Sequence, residues 1–191
     1  GFNLILKQFS DQAVTVLGLY YKWQSIFFIP LGAMQTCIVP VLSYNYASAR
    51  YERCKKTLLD AVLLGMALMA VGTLCFETIP GQLLSFFSKD PLVIEIGIVA
   101  FRWIGLSFLP LVTSLIYPVY FQAIGAWGKS SMLTIVRTVF LFVPLGWLLA
   151  HFGLHTFWMT YPLTEVITTT TGYLLYKKQC RFVMEKGKIR A

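Results

Sequence analysis

The sequence predicts an all-α polytopic membrane protein, a transmembrane helical bundle of about five full spans plus the end of a sixth. Its 191 residues are 57% hydrophobic and only 13% charged, with a mean hydropathy of +0.69, and a soluble domain of this length needs far more polar surface. The apolar residues form long runs between short polar breaks, and about 20 such residues cross a hydrocarbon core of roughly 30 Å. Membrane barrels show short alternating strands instead. The basic residues behind the net charge of +8 gather at the ends of the apolar runs. That placement reads as membrane topology, with the lipid bilayer as partner and no nucleic acid.

Residues 1–10 read as the end of a truncated transmembrane helix. No signal peptide is visible in GFNLILKQFS, which lacks a basic n-region and a small-residue cleavage site. Ser10 and Asp11 break the chain and supply an N-cap. A first full span lies near 13–46 and is bent by Pro30 and Pro40, since each interior proline removes a backbone hydrogen bond. After the basic break Arg50-Tyr-Glu-Arg-Cys-Lys-Lys56, a second span lies near 57–79. Ser88-Lys-Asp-Pro91 turns the chain, with Asp90 suited to cap a helix that Pro91 opens. A third span follows near 92–123. The turn at Gly125 to Lys129, a fourth span near 129–150, the turn at His151 to His155 and a fifth span near 156–176 complete residues 11–176. Residues 177–191 form a basic tail.

The breaks alternate in charge. One side holds Arg50, Arg53, Lys55, Lys56, Lys129 and the tail residues Lys177, Lys178, Arg181, Lys186, Lys188 and Arg190; the other holds Lys7 and Lys89. By the positive-inside rule the first side is the cytoplasm, which places the C-terminus inside. Cys37, Cys54, Cys75 and Cys180 are scattered without a C-x-x-C pair and indicate neither a metal site nor a disulfide framework.

Several phrases resemble the multidrug and toxin extrusion (MATE) transporters. They are Phe28-Ile-Pro30-Leu-Gly32-Ala-Met-Gln35 with Val39-Pro40-Val-Leu-Ser-Tyr44-Asn45-Tyr, the loop Tyr51-Glu-Arg53-Cys-Lys-Lys, and Leu84-Ser-Phe-Phe87 with Asp90. Phe101-Arg102-Trp-Ile, Phe121-Gln122-Ala-Ile-Gly125, Val136-Arg137 with Pro144-Leu, and Tyr161-Pro162-Leu-Thr-Glu165 follow in family order. The chain departs from the family at Ala47-Ser48, where Gly-Ala is usual, and at Gly153-Leu-His-Thr-Phe-Trp158. The resemblance implies twelve helices in two lobes around a central cleft, this chain supplying the C-terminal lobe and lacking its N-terminal partner lobe. Some members carry an aspartate near the position of Thr113.

Ionisable groups inside a membrane are costly and are functional candidates by default. Glu165 has Thr168 and Thr169 on its own face. It either holds a proton, a sodium ion or a cationic substrate in turn, or pairs with an arginine of a neighbouring helix. Glu95, Arg102, Thr113, Tyr117 and Tyr120 fall near one helix face, which either lines a translocation path or forms a buried inter-helix network; the latter is the expectation for Arg102. Arg137 pairs with Glu165 if the fourth and fifth spans pack together, and Glu95 is a second structural pairing candidate. Lys22 either snorkels to the outer interface or faces the cleft. Gln24 and Gln35 share a face, and Asn45 lies near the inner end. Each of these amides either bonds across helices or meets substrate.

No Ser-His-Asp set, phosphate-binding loop or metal cluster marks the chain as an enzyme or as nucleotide-driven. The resemblance therefore implies a secondary antiporter of the plasma (inner) membrane, exporting drugs or other small amphipathic organic cations. Its coupling ion is H+ or Na+, and no cofactor is expected. A lipid-linked saccharide flippase of the same superfamily, or an inactive membrane fragment, is the alternative.

Overall fold

Helices account for all the regular structure. The structure, a computed structural model, describes the backbone of residues 2–189 and the side chains of residues 3–182. Its elements are α1 (Phe2–Leu6), α2 (Asp11–Ala47), α3 (Tyr51–Thr78), α4 (Pro80–Ser85), α5 (Pro91–Ala123), α6 (Trp127–Ile135), a π-helical segment (Val136–Phe142), α7 (Val143–Ala150), α8 (Leu154–Phe157) and α9 (Thr160–Ile189). There is no strand among the described residues. Lys186, Lys188 and Arg190, assigned above to the basic tail, lie outside the described side chains.

Local chemistry sets the helix ends. The Ser10 hydroxyl accepts from the Ala13 N–H at 3.1 Å, and Asp90 accepts from Leu92 N–H at 3.0 Å with Pro91 in the first turn of α5, so each cap satisfies a donor that the helix leaves free. Helices α2 and α5 end alike. The Arg50 N–H reaches back to the Asn45 carbonyl and the Ala126 N–H to the Phe121 carbonyl, both at 2.8 Å, closing Schellman-type turns over a left-handed residue. That residue is Gly125 after α5 but Ala49 (φ 55°) after α2, where the side chain costs about 1 kcal/mol.

Among the described residues four segments are long and apolar enough to cross a membrane: Asp11–Ala47, Tyr51–Thr78, Pro91–Ala123 and Trp127–Ala150, the last combining α6, the π-helical segment and α7. Large apolar side chains such as Ile29, Leu63, Leu74, Phe140 and Trp147 lie exposed along them, as lipid-facing surfaces do. Helix α9 is also long, but Glu165, the threonine run 168–171 and Lys177-Lys178 lower its hydropathy. Its helix continues past Tyr176 into the basic residues, because Lys, Gln, Cys and Arg sustain a helix and no glycine or proline intervenes before Gly187.

Helix α5 is the hub, packing against α2, α3 and α9 and carrying the longest run of buried residues. Small residues let the backbones approach. A Cβ on Gly105 would lie 2.8 Å from Phe76 Cβ and one on Gly72 3.0 Å from the Phe108 ring, while the Thr73 hydroxyl donates to the Gly105 carbonyl at 3.1 Å. Close backbone contact plus a cross-helix hydroxyl bond is how membrane helices associate where lipid removes the hydrophobic drive. Phe76 fills the space so defined, stacked on Phe101 with ring centres 4.5 Å apart. At one end of the bundle Trp23 Nε1 donates to the Leu83 carbonyl at 3.1 Å, tying α2 to α4. Trp23→Phe should lower stability by about 0.5–1.5 kcal/mol, the net worth of one such bond, read as a lower thermal unfolding midpoint of the purified protein.

At the other end the Ser43 hydroxyl donates to the Ala123 carbonyl at 2.7 Å and Lys129 Nζ donates to Gln179 Oε1 at 2.5 Å. These bonds gather the Ala47–Arg50 turn, the end of α5 and the basic stretch of α9. Most of the chain's described basic residues therefore share one end of the bundle.

Candidate functional site

The π-helical segment explains where the central arginine sits. Pro144 lies just beyond it and has no N–H to return to the preceding turn, while its ring crowds the carbonyl four residues back. The preceding turn widens to π geometry, a form frequent at functional sites. None of the seven residues in the segment is buried, and Arg137 extends from it toward α9.

There Arg137 meets Glu165. Its Nε lies 3.1 Å from both carboxylate oxygens and its Nη2 2.5 Å from Oε1, and Glu165 is only 1% exposed against 19% for Arg137. The Ser114 hydroxyl of α5 completes the set by bonding Glu165 Oε2. It also lies 3.0 Å from the Leu111 carbonyl. A serine hydroxyl carries one proton, so it serves one of these two acceptors at a time. With Glu165 ionised, Ser114 donates to the carboxylate. With Glu165 protonated, the acid can donate to Ser114, which turns its own proton to Leu111. The geometry thus accommodates both protonation states of the carboxyl.

Beside the pair lies a cleft of about 230 Å³, lined among others by Tyr20, Tyr21, Gln24, Arg137, Tyr161 and Glu165. Tyr20 and Tyr161 form its buried wall, edge to face with ring centres 5.4 Å apart. Arg137 also sits over the Phe142 ring, 5.6 Å from its centre, a cation–π arrangement that steadies the guanidinium. Below the pair, the hydroxyls of Thr113 and Thr169 lie 2.8 Å apart and 2.9 and 2.8 Å from the Pro110 carbonyl, so one donates to that carbonyl while the other donates to its neighbour. Thr164 and Thr168, fully buried on either side of Glu165, have Oγ1 atoms without a hydrogen-bond partner. The α5–α9 seam is therefore polar along most of its length.

The structure separates the sequence candidates. Thr113 and Tyr117 are buried in this seam, but Glu95 and Arg102, on the same nominal face of α5, are exposed and make no ion pair among the described residues. The expected buried network around Arg102 and the structural pairing of Glu95 are thus corrected. Helix α9 covers the face only along the C-terminal half of α5, while Arg102 borders a separate cavity of about 330 Å³ with Glu77, Trp103 and His155. Lys22 extends over the Phe87 ring at 4.7 Å from its centre, at the α4 end of the bundle and away from the Arg137–Glu165 pair. Asn45 turns its amide onto its own helix, donating to the Val41 carbonyl at 2.8 Å. Gln35 is half-buried, with Nε2 lacking a partner.

Ser114 was invisible as a ligand in the sequence: one small hydroxyl in an apolar helix has many uses. Tyr161 entered there only as part of the phrase Tyr161-Pro162-Leu-Thr-Glu165. Tyr161 carried one usable signal, since it precedes Glu165 by one helical turn and so shares its face. Among the described residues no group of three or more His, Cys, Asp or Glu could hold a metal ion.

The MatE family pattern matches residues 2–148. A FAD transporter of Shewanella oneidensis is 22% identical over 177 residues, which cover 92% of this chain and 39% of that protein. Solved structures share the fold. A MOP superfamily transporter from Pyrococcus furiosus, whose reverse polarity of binding pocket suggests a different function, superposes with a TM-score of 0.88 at 19% identity, over 96% of this chain and 42% of that one. A MATE transporter in the straight conformation gives 0.89 at 18% identity, again over 96% and 42%. The chain spans about two fifths of the length of the proteins it matches. It belongs to the MatE family, and its fold is that of one lobe of a two-lobe MATE transporter.

Proposed function

We propose that the protein carrying this chain is a secondary antiporter that exports amphipathic organic cations against an inward flow of protons or sodium ions, with Glu165 as the coupling carboxylate. The observation that carries this reading is the buried Glu165 carboxylate beside a cleft, held by ligands that can be exchanged. Arg137 supplies a positive charge from a π-helical segment, and Ser114 has an alternative acceptor in Leu111. A coupling ion and a cationic substrate arriving in turn at Glu165 compete for the same negative charge, already shared with Arg137, so one site cannot hold both at full strength. Antiport follows from that exclusion when the two occupied states favour different lobe orientations.

Transport needs the partner N-terminal lobe, because the cleft of a two-lobe transporter is completed from both sides. The gathering of Arg50, Arg53, Lys55, Lys56, Lys129, Lys177, Lys178 and Arg181 at one end supports a cytoplasmic C-terminus in a plasma or inner membrane. The aromatic wall of Tyr20, Tyr21 and Tyr161 suits a flat cationic substrate.

The test is efflux of a fluorescent organic cation from vesicles containing the full-length protein, under proton and sodium gradients imposed separately, for the wild type and Glu165→Gln. Gradient-driven efflux should fall at least tenfold in the variant, the scale on which removing a charge-assisted bond acts. Unchanged efflux in the variant would remove Glu165 from coupling. Export of a flavin dinucleotide in place of the cation would move the substrate toward that of the Shewanella relative.

A further inference from the structure

The largest concentration of unexplained chemistry lies far from Glu165, at the basic end of the bundle. Helices α3 and α9 each pack on α5, and between their ends opens a cavity of about 200 Å³ lined by Lys55, Lys177, Tyr51, Tyr173, Tyr176 and Glu52, with Tyr120 of α5 among the other lining residues. Lys177 is shared with an adjoining cleft bordered by Lys178 and Arg181. Two lysines thus share the cavity with one carboxylate, and two more cations border the adjoining cleft. The α3 N-terminus opens on the same cavity with no side chain capping it, so its free N–H groups add to the positive field. The tyrosine hydroxyls supply neutral donors around that field.

The surroundings identify the phase from which a ligand comes. Along α9 toward the membrane, Leu174 is 59% exposed and Val166 51%, and along α3 Leu59 is 55% and Leu63 57% exposed. These apolar faces give way to lysines and arginines at the cavity, the order of chemistry met on passing from acyl chains to headgroups. A soluble anion would use the charge and leave the flanking apolar surface uncovered. A phospholipid uses both.

We infer that this cavity is a binding site for the headgroup of an anionic phospholipid, its phosphate held by Lys55 and Lys177 and its acyl chains laid along the exposed faces of α3 and α9. Glu52 then serves as acceptor for a hydroxyl of the headgroup, which favours a glycerol headgroup over a bare phosphate. The site is independent of the Glu165 cleft and of the transported substrate.

The test is native mass spectrometry of the full-length protein titrated with phosphatidylglycerol, phosphatidylethanolamine or phosphatidylcholine, comparing wild type, Lys55→Gln/Lys177→Gln and the control Lys89→Gln at the opposite end. Phosphatidylglycerol should be retained in preference to both zwitterionic lipids. The double variant should lose that preference, with affinity down roughly thirtyfold for two basic groups removed at the headgroup level, while Lys89→Gln keeps it. Thermal unfolding of both variants in lipid-free detergent should match the wild type, since these lysines are exposed. Equal retention of the three lipids, or full phosphatidylglycerol binding by the double variant, would overturn the proposal. So would displacement of the lipid by millimolar glycerol phosphate, which would assign the cavity to a soluble phosphate compound.

Discussion

Replacing Arg137 by alanine is expected to destabilise the lobe by about 3–5 kcal/mol, the cost of leaving a buried charge without its partner. Glu165 is 1% exposed, and Ser114 alone can donate to only one of its two carboxylate oxygens, so the carboxylate loses most of its bonded partners with the arginine. An ionised carboxylate in a medium of low dielectric is then left with a single donor. Removing both charges at once has a different result. Arg137→Met with Glu165→Gln keeps most of the volume and leaves an amide that Ser114 can still bond, and paired removal of this kind is often close to neutral. Thermal unfolding of the full-length protein in detergent should show a large drop for Arg137→Ala and a much smaller one for the double variant. The shortfall from additivity measures the coupling of the pair. An Arg137→Ala midpoint equal to that of the wild type would mean that the pair contributes nothing to folding, leaving function as its only role.

The same pair shows how far the sequence could be read. Long apolar runs punctuated by proline, glycine and charge are local signals, and they lead directly to an all-α membrane bundle because the hydrocarbon thickness and the helix rise fix the length of a span. That Arg137 and Glu165 can meet was legible as a condition on two helices packing, since each was the most costly residue in its span. What supplies the third ligand was not. Ser114 stands beside Thr113 in an apolar helix, and only the rotation of α5 against α9 decides that Ser114 reaches the carboxylate while Thr113 reaches Thr169. The split of the α5 face has a similar origin. Glu95, Arg102, Thr113 and Tyr117 share an angular position, but burial depends on which neighbour covers each height, and α9 covers only the C-terminal half of α5. The π-helical segment was present in the sequence only as Pro144, whose effect on the preceding turn depends on whether neighbours hold the widened form. The fifth span is the least apolar because its buried face is the polar seam, where Glu165 and Thr169 find partners on neighbouring helices and need not be lipid-like.

The composition of that seam bears on motion as well as stability. Interfaces such as Phe76 against Phe101 and Phe108 interlock large rings and have few alternative packings. Between α5 and α9, by contrast, hydroxyls bond carbonyls that have other acceptor capacity, and two threonine hydroxyls are buried without partners. Exchanging one set of hydroxyl bonds for another costs less than unstacking an aromatic cluster. A change in the charge on Glu165 therefore acts on the interface best able to respond, which is the requirement for a carboxylate that couples ion binding to rearrangement.

The same seam is closed beyond Thr169 by a steric contact, and Gly172→Leu should be the most disruptive apolar substitution in α9. A Cβ at Gly172 would lie 2.6 Å from Tyr117 Cδ2 and 3.0 Å from Tyr117 Cβ and Cγ. Atoms at the base of a side chain move only with their backbone, and the Tyr117 ring is confined by Tyr176, 5.9 Å away. Overpacking of this kind costs about 1–3 kcal/mol for small additions, so alanine should be harmful and leucine worse. Gly32→Ala provides the contrast within a helix: a Cβ there meets nothing within 4 Å, and helix propensity alone favours alanine by about 1 kcal/mol. The damage at Gly172 should also reach the carboxylate. Glu165 stands seven residues earlier, about two turns along the same face, so pushing α9 away from Tyr117 lengthens the Ser114–Glu165 bond as well. Relief at the other side of the contact distinguishes steric strain from a general intolerance: Gly172→Ala combined with Tyr117→Ala should unfold at a higher temperature than the sum of the two single effects predicts. Strict additivity in that pair would show that the two residues do not press on one another and that the closure of the seam has another cause.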